Sequence, residues 1–364
     1  MTSVDTSNGR EALSLPYAWQ ETQWQRLIGM NADQKLPHAL LLTGHKGIGK
    51  RHFAEAMASF LLCLSPVNKV PCGRCKGCEL SLAHTHPDFF LLEPEEPSRV
   101  IKIDQVRRLT EFVSKTSQQG GRKVALINPV ETLNINAANA LLKSLEEPSG
   151  DTVLLLVSQA PTQIMATIRS RCQQMEFALP SRAQSLAWLT PLAVGQDPNY
   201  LLDCVGGAPL SALQLLDDDL LEQRQAVTDG LLGLAQNRTS ALDLAAQLHR
   251  GELLPVIEAM MNFLQVGVRV GAVAVESSPH MSANHTPASH TPAEQELHEV
   301  LASVPSTIMF RFWDKLVVVK RQLLGASNPN KQLLLEEVLM DWQALAKQSR
   351  KLTQSRQQMM NGLL

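Results

Sequence analysis

Apolar residues are distributed along this chain in two regimes. As far as about residue 180 they form short runs: His38-Ala39-Leu40-Leu41-Leu42, then residues 89–92, 124–127, 153–157 and 175–177. Runs this short and this continuous predict strands buried on both faces. The stretches between several of them have apolar positions three and four apart instead. One helix is predicted from about Lys50, with Phe53, Met57, Phe60 and Leu61 on its inner side. Others are predicted over 104–117, closed by Gly120-Gly121, and over 136–147, closed by Pro148. Strands alternating with helices predict an α/β fold, a five-stranded parallel sheet with helices on both faces.

After Pro180 the pattern changes. Ser181 and Gln184 form a capping box that opens a helix, and strand signals do not return. The remainder is leucine- and alanine-rich helical sequence, with a predicted hinge at Gly206-Gly207-Ala208-Pro209. One segment breaks it. Residues 276–295 contain Pro279, Pro287 and Pro292 and a near-repeat of His-Thr-Pro-Ala, which predicts a disordered surface loop. Its histidines (His280, His285, His290, and His298 just beyond) read as solvated, because nothing fixes their geometry for a metal.

Composition narrows the function classes. The 364 residues suffice for two or three domains, and a net charge of −2 gives no overall attraction to nucleic acid or acidic membranes. No apolar run is long enough to span a bilayer, and the polar first ten residues, with Asp5, are unlike a secretory signal. Six cysteines, four of them clustered, in such a chain predict metal ligands in the cytoplasm.

The strongest local signal is Gly44-His45-Lys46-Gly47-Ile48-Gly49-Lys50, a glycine loop between a predicted strand and a predicted helix. Loops of this form cradle nucleotide phosphates with backbone N–H groups at a helix N-terminus. In the working motif a Ser or Thr follows the lysine and ligates Mg²⁺. Here Arg51 stands there, and a guanidinium only donates. A second defect follows the strand ending at Ile127. An Asp-Glu pair is needed there to hold the metal and polarise water, but the residues are Asn128-Pro129, with Glu131 too late. Gly44, Gly47, Gly49 and Lys50 therefore predict a degenerate nucleotide loop without hydrolysis.

Cys63, Cys72, Cys75 and Cys78 are spaced C-x8-C-x2-C-x2-C. Two-residue gaps let thiolates converge on one tetrahedral ion, and four of them close the site, which predicts structural zinc. His84 and His86 are nearby alternatives. Arg169 and Arg171 lie on the loop before the last strand, where an arginine can face a neighbour's γ-phosphate or simply be solvated.

Together and in order, the glycine loop, the four-cysteine insertion, His86-Pro87-Asp88, Leu141-Leu142-Lys143-Ser144-Leu145-Glu146-Glu147-Pro148 and Ser170-Arg171-Cys172 resemble the bacterial clamp-loader branch of the AAA+ family. The resemblance covers about residues 10–215. It implies an AAA+ α/β domain over 1–179, a small helical lid over 180–222 and an all-α collar over 223–364. It implies a five-membered ring of motor subunits with a delta-type subunit, which loads the sliding clamp onto primed DNA. That ring belongs to the replicative polymerase holoenzyme.

Motor subunits of the family carry the metal-binding hydroxyl, the Asp-Glu pair and a lid arginine. This chain has Arg51, Asn128-Pro129 and no arginine over residues 206–213. The resemblance thus implies a non-hydrolysing subunit whose Arg171 completes a neighbour's ATP site. Ala138, Leu141, Leu142 and Leu145 form one apolar face of the 136–147 helix, leaving Glu146 and Glu147 near its end, and the helix reads as a packing element. Two other readings compete: an active ATPase motor, which lacks its metal-binding residues, and a zinc-dependent nucleic-acid module. The latter predicts a basic face around the cysteines, where only Arg74 and Lys76 are basic.

Overall fold

The computed structural model describes residue 13 and residues 15–361, apart from 120, 148, 149, 250, 276–290 and 325–329. The chain divides into two compact units, residues 1–184 and 185–364.

In the first unit a short 3-10 turn (Ala18–Gln20) leads into α1 (Glu21–Ala32), β1 (Ala39–Gly44) and α2 (Lys50–Leu61). Then come α3 (Lys76–Leu82), β2 (Phe89–Leu92), α4 (Ile103–Ser114), β3 (Lys123–Ile127) and α5 (Ile135–Glu146). The unit ends with β4 (Thr152–Val157), α6 (Ala166–Arg169), β5 (Gln173–Phe177) and α7 (Arg182–Leu189), which continues into the second. All the strand pairings are parallel, and the order is β2-β3-β4-β1-β5. This is the α/β arrangement, a five-stranded parallel sheet with helices between the strands, expected from the sequence.

Burial explains the two kinds of strand. Every residue of β3 and β4 is buried, as are the first five of β1. The edge strands β2 and β5 are only partly covered. A parallel sheet needs both faces shielded, so its inner strands read as unbroken apolar runs. On one side, Val106, Leu109 and Val113 of α4 and Ala138, Leu141 and Leu145 of α5 join Leu154, Leu156, Ile168 and Cys172 in one buried cluster. Asn134 caps α5 by accepting the Ala137 N–H at 2.8 Å. Helix α4 stops at Ser114, short of the predicted 117, because Lys115 turns to an extended conformation.

The second unit is helical: α8 (Pro198–Cys204), α9 (Pro209–Gln214), α10 (Asp218–Ala235), α11 (Ala241–Leu248), α12 (Leu253–Val275), α13 (Pro292–Ala302), α14 (Ser306–Leu324) and α15 (Lys331–Asn361). A small cluster collects Leu189, Leu201, Leu202 and Ala212, and a larger one runs from Val227 to Leu345. Helix α10 runs unbroken through residues 222 and 223. The capping box forms as predicted: the Ser181 N–H donates to Gln184 Oε1 at 3.0 Å, and the Gln184 N–H donates to Ser181 Oγ at 3.3 Å. The hinge glycines Gly206 and Gly207 both have positive φ, +68° and +92°.

One expectation is corrected. The loop predicted over 276–295 ends earlier, because Thr291 accepts the Glu294 N–H and Pro292 occupies the first turn of α13. Residues 276–290, including His280, His285 and His290, lie outside the described residues. His298 is not a solvated histidine: it lies in α13, partly buried, its ring 5.9 Å from that of Phe263.

Candidate functional site

The glycine loop leaves β1 at Gly44 and enters α2 at Lys50, as a phosphate-binding loop must. Its glycines are required by backbone shape. Gly44, Gly47 and Gly49 have φ of +147°, +76° and +87°, and a Cβ on Gly44 would lie 2.4 Å from the Phe177 carbonyl oxygen. The N–H groups of Gly47, Ile48, Gly49 and Lys50 pair with no backbone carbonyl of the described residues. Lys50 is buried and folds back on the loop, donating to the carbonyls of Gly44 (2.7 Å) and His45. Burial lowers its pKa to about 8, with Glu131 pulling the other way.

Charge occupies the position where the metal ligand would be. The Arg51 guanidinium meets Glu55 at 2.9 Å and both carboxylate oxygens of Glu93, at 3.0 and 3.1 Å. Asn128, buried at the end of β3, donates to Glu93 Oε1 at 2.8 Å. Glu131 accepts the Gln159 and Ala160 N–H groups at 2.8 and 3.1 Å. The Glu93 carboxylate is thus held by a cation and an amide. A divalent ion there would have to displace an arginine fork.

The four predicted thiols converge. Sγ atoms of Cys63, Cys72, Cys75 and Cys78 all lie within 4.8 Å of one another, with Cys63–Cys75 at 3.8 Å and Cys72–Cys78 at 3.9 Å. Zn–S bonds of about 2.3 Å require tetrahedral S···S edges of about 3.8 Å, so the donor set fits such an ion. None of the four is in a disulfide. Backbone N–H groups of Cys72 and Cys78 turn back onto Cys63 Sγ and Cys75 Sγ, the geometry of a tight metal-binding turn. Cys72 is pulled down to about 5, chiefly by the Ser65 hydroxyl, while burial pushes Cys78 up. Four ionised thiolates at this spacing require a cation among them. His86 stands apart from the set, its Nδ1 accepting the Asp88 N–H at 3.1 Å. His84 is exposed.

Arg171 follows α6 on the surface. Its guanidinium reaches Glu146 Oε1 through Nε at 2.7 Å and Nη2 at 2.6 Å, and Nη1 donates to the Thr167 carbonyl at 3.0 Å. Cys172 is a buried packing residue, its thiol pushed up to about 12 by burial. These features form three separate groups in the first unit: the loop with Arg51, the thiols, and Arg171.

Sequence reasoning missed the segment before α1. The Tyr17 ring stacks on Trp19 at 4.7 Å and on His52 at 4.5 Å, and it lies so close that a Cβ on Gly49 would be 2.6 Å away. Trp19 Nε1 and Gln20 Nε2 both donate to the Ile48 carbonyl at 3.0 Å. The signal available was two aromatics two positions apart, Tyr17 and Trp19, in a chain only 4% aromatic. Glu93, the partner of Arg51, was missed as well, since it takes both the β2–β3 pairing and the packing of α2 on β3 to bring the two together.

The chain is similar to known proteins. A family model described as DNA polymerase III, delta subunit, matches residues 19–181, and its C-terminal counterpart matches 280–344. The DNA polymerase III subunit delta′ of Pseudomonas aeruginosa is 40% identical over 333 residues, 90% of this chain and 98% of its own. That of Yersinia pestis is 31% identical over 335 residues, 90% of this chain and 95% of its own. Among solved structures, a DNA polymerase III gamma subunit-related protein from Thermotoga maritima aligns with 89% of this chain and 99% of its own, at 16% identity. Its TM-score of 0.44 is too low to carry an argument. With relatives of that identity matched over nearly their whole length, the chain belongs to the family of DNA polymerase III delta′ subunits.

Proposed function

We propose that this chain is the non-hydrolysing subunit of a bacterial clamp loader. In this reading it works in the cytoplasm in a five-membered ring with gamma/tau-type motor subunits and a delta-type subunit. The ring loads the sliding clamp onto primed DNA, and this chain touches DNA only as part of it. Arg171 reaches the γ-phosphate of ATP bound by the adjacent motor subunit. A guanidinium there neutralises charge that builds up on the transferring phosphoryl group.

The observation that carries the reading is Arg51 locked between Glu55 and Glu93. Its fork puts a fixed positive charge where the metal-binding hydroxyl would stand, and Asn128 supplies no base. Lys50, satisfied by its own loop carbonyls, also supports a nucleotide site without turnover. Nothing in the site favours the motor reading. We further assign structural zinc to Cys63, Cys72, Cys75 and Cys78. Bound there, it cross-links the segment between α2 and α3 and supplies no chemistry. The division into lid and collar is supported by the two hydrophobic clusters of the second unit.

The test is ATP turnover by the purified chain, then by a ring in which only the adjacent motor subunit can hydrolyse. We expect silence alone and turnover in the ring. Arg171→Ala should slow that one site about 10³-fold or more while the ring still assembles. Turnover unchanged by Arg171→Ala would refute the finger, and robust turnover by the isolated chain would restore the motor reading.

A further inference from the structure

The glutamates that close α5 have no role in packing, and one of them holds the arginine on which the proposed function depends. Glu146 is the last residue of α5, its side chain 50% exposed, and it takes the Nε and Nη2 edge of Arg171 on a single carboxylate oxygen, Oε1. The Thr167 carbonyl, one helical turn back, takes Nη1 at 3.0 Å. Three atoms of the guanidinium are therefore tied to two fixed points. An exposed arginine on its own would sample many rotamers.

The fixed points are rigid because their neighbours are buried. Leu145, beside Glu146, is 1% exposed, Ile168 is 1% and Cys172, beside Arg171, is 8%. All three belong to one core cluster under the sheet, together with Leu141. The end of α5 and the loop after α6 are thus held at a set distance, and the pair spans them at the surface. The Arg171 side chain is itself 35% exposed, so its group remains open to a neighbour.

We propose that Glu146 is a positioning residue that pre-orients the Arg171 guanidinium for the adjacent subunit's triphosphate. The inference rests on the finger reading of Arg171. A guanidinium whose plane is fixed beforehand loses little freedom when it meets the transition state, so the contact contributes to rate more fully. The pair is solvent-exposed and screened, so its charge neutralisation is the weaker of its two effects.

The test uses the reconstituted ring in which only the adjacent motor hydrolyses. Glu146→Ala should lower kcat for ATP at that site by roughly ten-fold, with KM for ATP unchanged. Assembly and thermal unfolding of the chain should not change. Glu146→Gln, which keeps an acceptor oxygen for Nε and Nη2, should recover most of the rate. In an Arg171→Ala background, Glu146→Ala should have no further effect. Several results would overturn the inference while leaving the finger intact: unchanged or raised kcat in Glu146→Ala, a Gln variant as slow as Ala, or full multiplication of the two losses. An Arg171→Ala ring as fast as wild type would remove the finger and this role together.

Discussion

At the scale of single residues, the protein shows how one substitution redirects a binding loop. Arg51 follows the loop lysine where a small hydroxyl is needed, and it recruits Glu55 and Glu93 into ion pairs. The glycines around it stay, because their positive φ values and the contact with Phe177 are demanded by the turn itself. Loop shape and loop chemistry are thus separable. The thiols are the opposite case, where shape exists to gather four identical ligands. Cys75 lies on two of the short contacts in that cluster, to Cys63 Sγ and to the Cys78 N–H. Cys75→Ser should lower bound zinc, measured by elemental analysis of the purified chain, and lower Tm. Full zinc occupancy in that variant would remove Cys75 from the ligand set.

At the scale of elements, long helices of the second unit are fixed by apolar faces and a few buried polar contacts. Trp342 of α15 is 1% exposed and its Nε1 donates to the Leu231 carbonyl of α10 at 3.2 Å. Trp342→Ala leaves a cavity and removes a buried hydrogen bond, and should cost about 3–5 kcal/mol in denaturant unfolding. A buried polar network joins α10 to three other helices. Arg224 (α10) pairs with Glu294 (α13) and lies over the Phe263 ring (α12), while the Tyr200 hydroxyl (α8) donates to Glu294 at 3.2 Å. His298 sits beside it, its pKa lowered to about 4 by burial first and by Arg224 second.

The sign of the resulting pH effect follows. Between pH 4 and 6.5 the unfolded chain binds a proton at His298 that the folded chain refuses, so stability must fall as pH drops through that window. Allowing for the partial exposure of the ring, the loss should be roughly 2 kcal/mol. His298→Gln should flatten this part of the stability–pH curve. An unaltered slope in that variant would show that another group titrates.

At the scale of the whole molecule, two separate cores divide the labour. The glycine loop, the thiols and Arg171 all belong to the unit of residues 1–184, and the large helical core belongs to 185–364. Separate cores predict separate transitions. Heating the zinc-loaded chain should give two steps by calorimetry. A chelator strong enough to strip zinc should lower only one, since metal binding contributes to the folding free energy of the unit that holds it. A single step shifted as a whole would mean that the two units unfold together.

The sequence by itself determined whatever depends on local period or fixed spacing. The five strands, the glycine loop, the α5 helix, the capping box at Ser181 and the four-thiol set could all be read from it. Apolar runs, positive-φ glycines and ligand spacing are set within a few residues of chain. Tertiary structure alone decided what depends on distant segments meeting. Glu93 reaches Arg51 because β2 pairs with β3 in parallel register and α2 packs on β3. Tyr17 covers Gly49 because the segment before α1 packs against the loop. Glu146 meets Arg171 only because α5 and α6 share a core. Such long-range pairs leave no periodic trace, since a side chain's partner across the fold is fixed by packing and not by its neighbours in sequence.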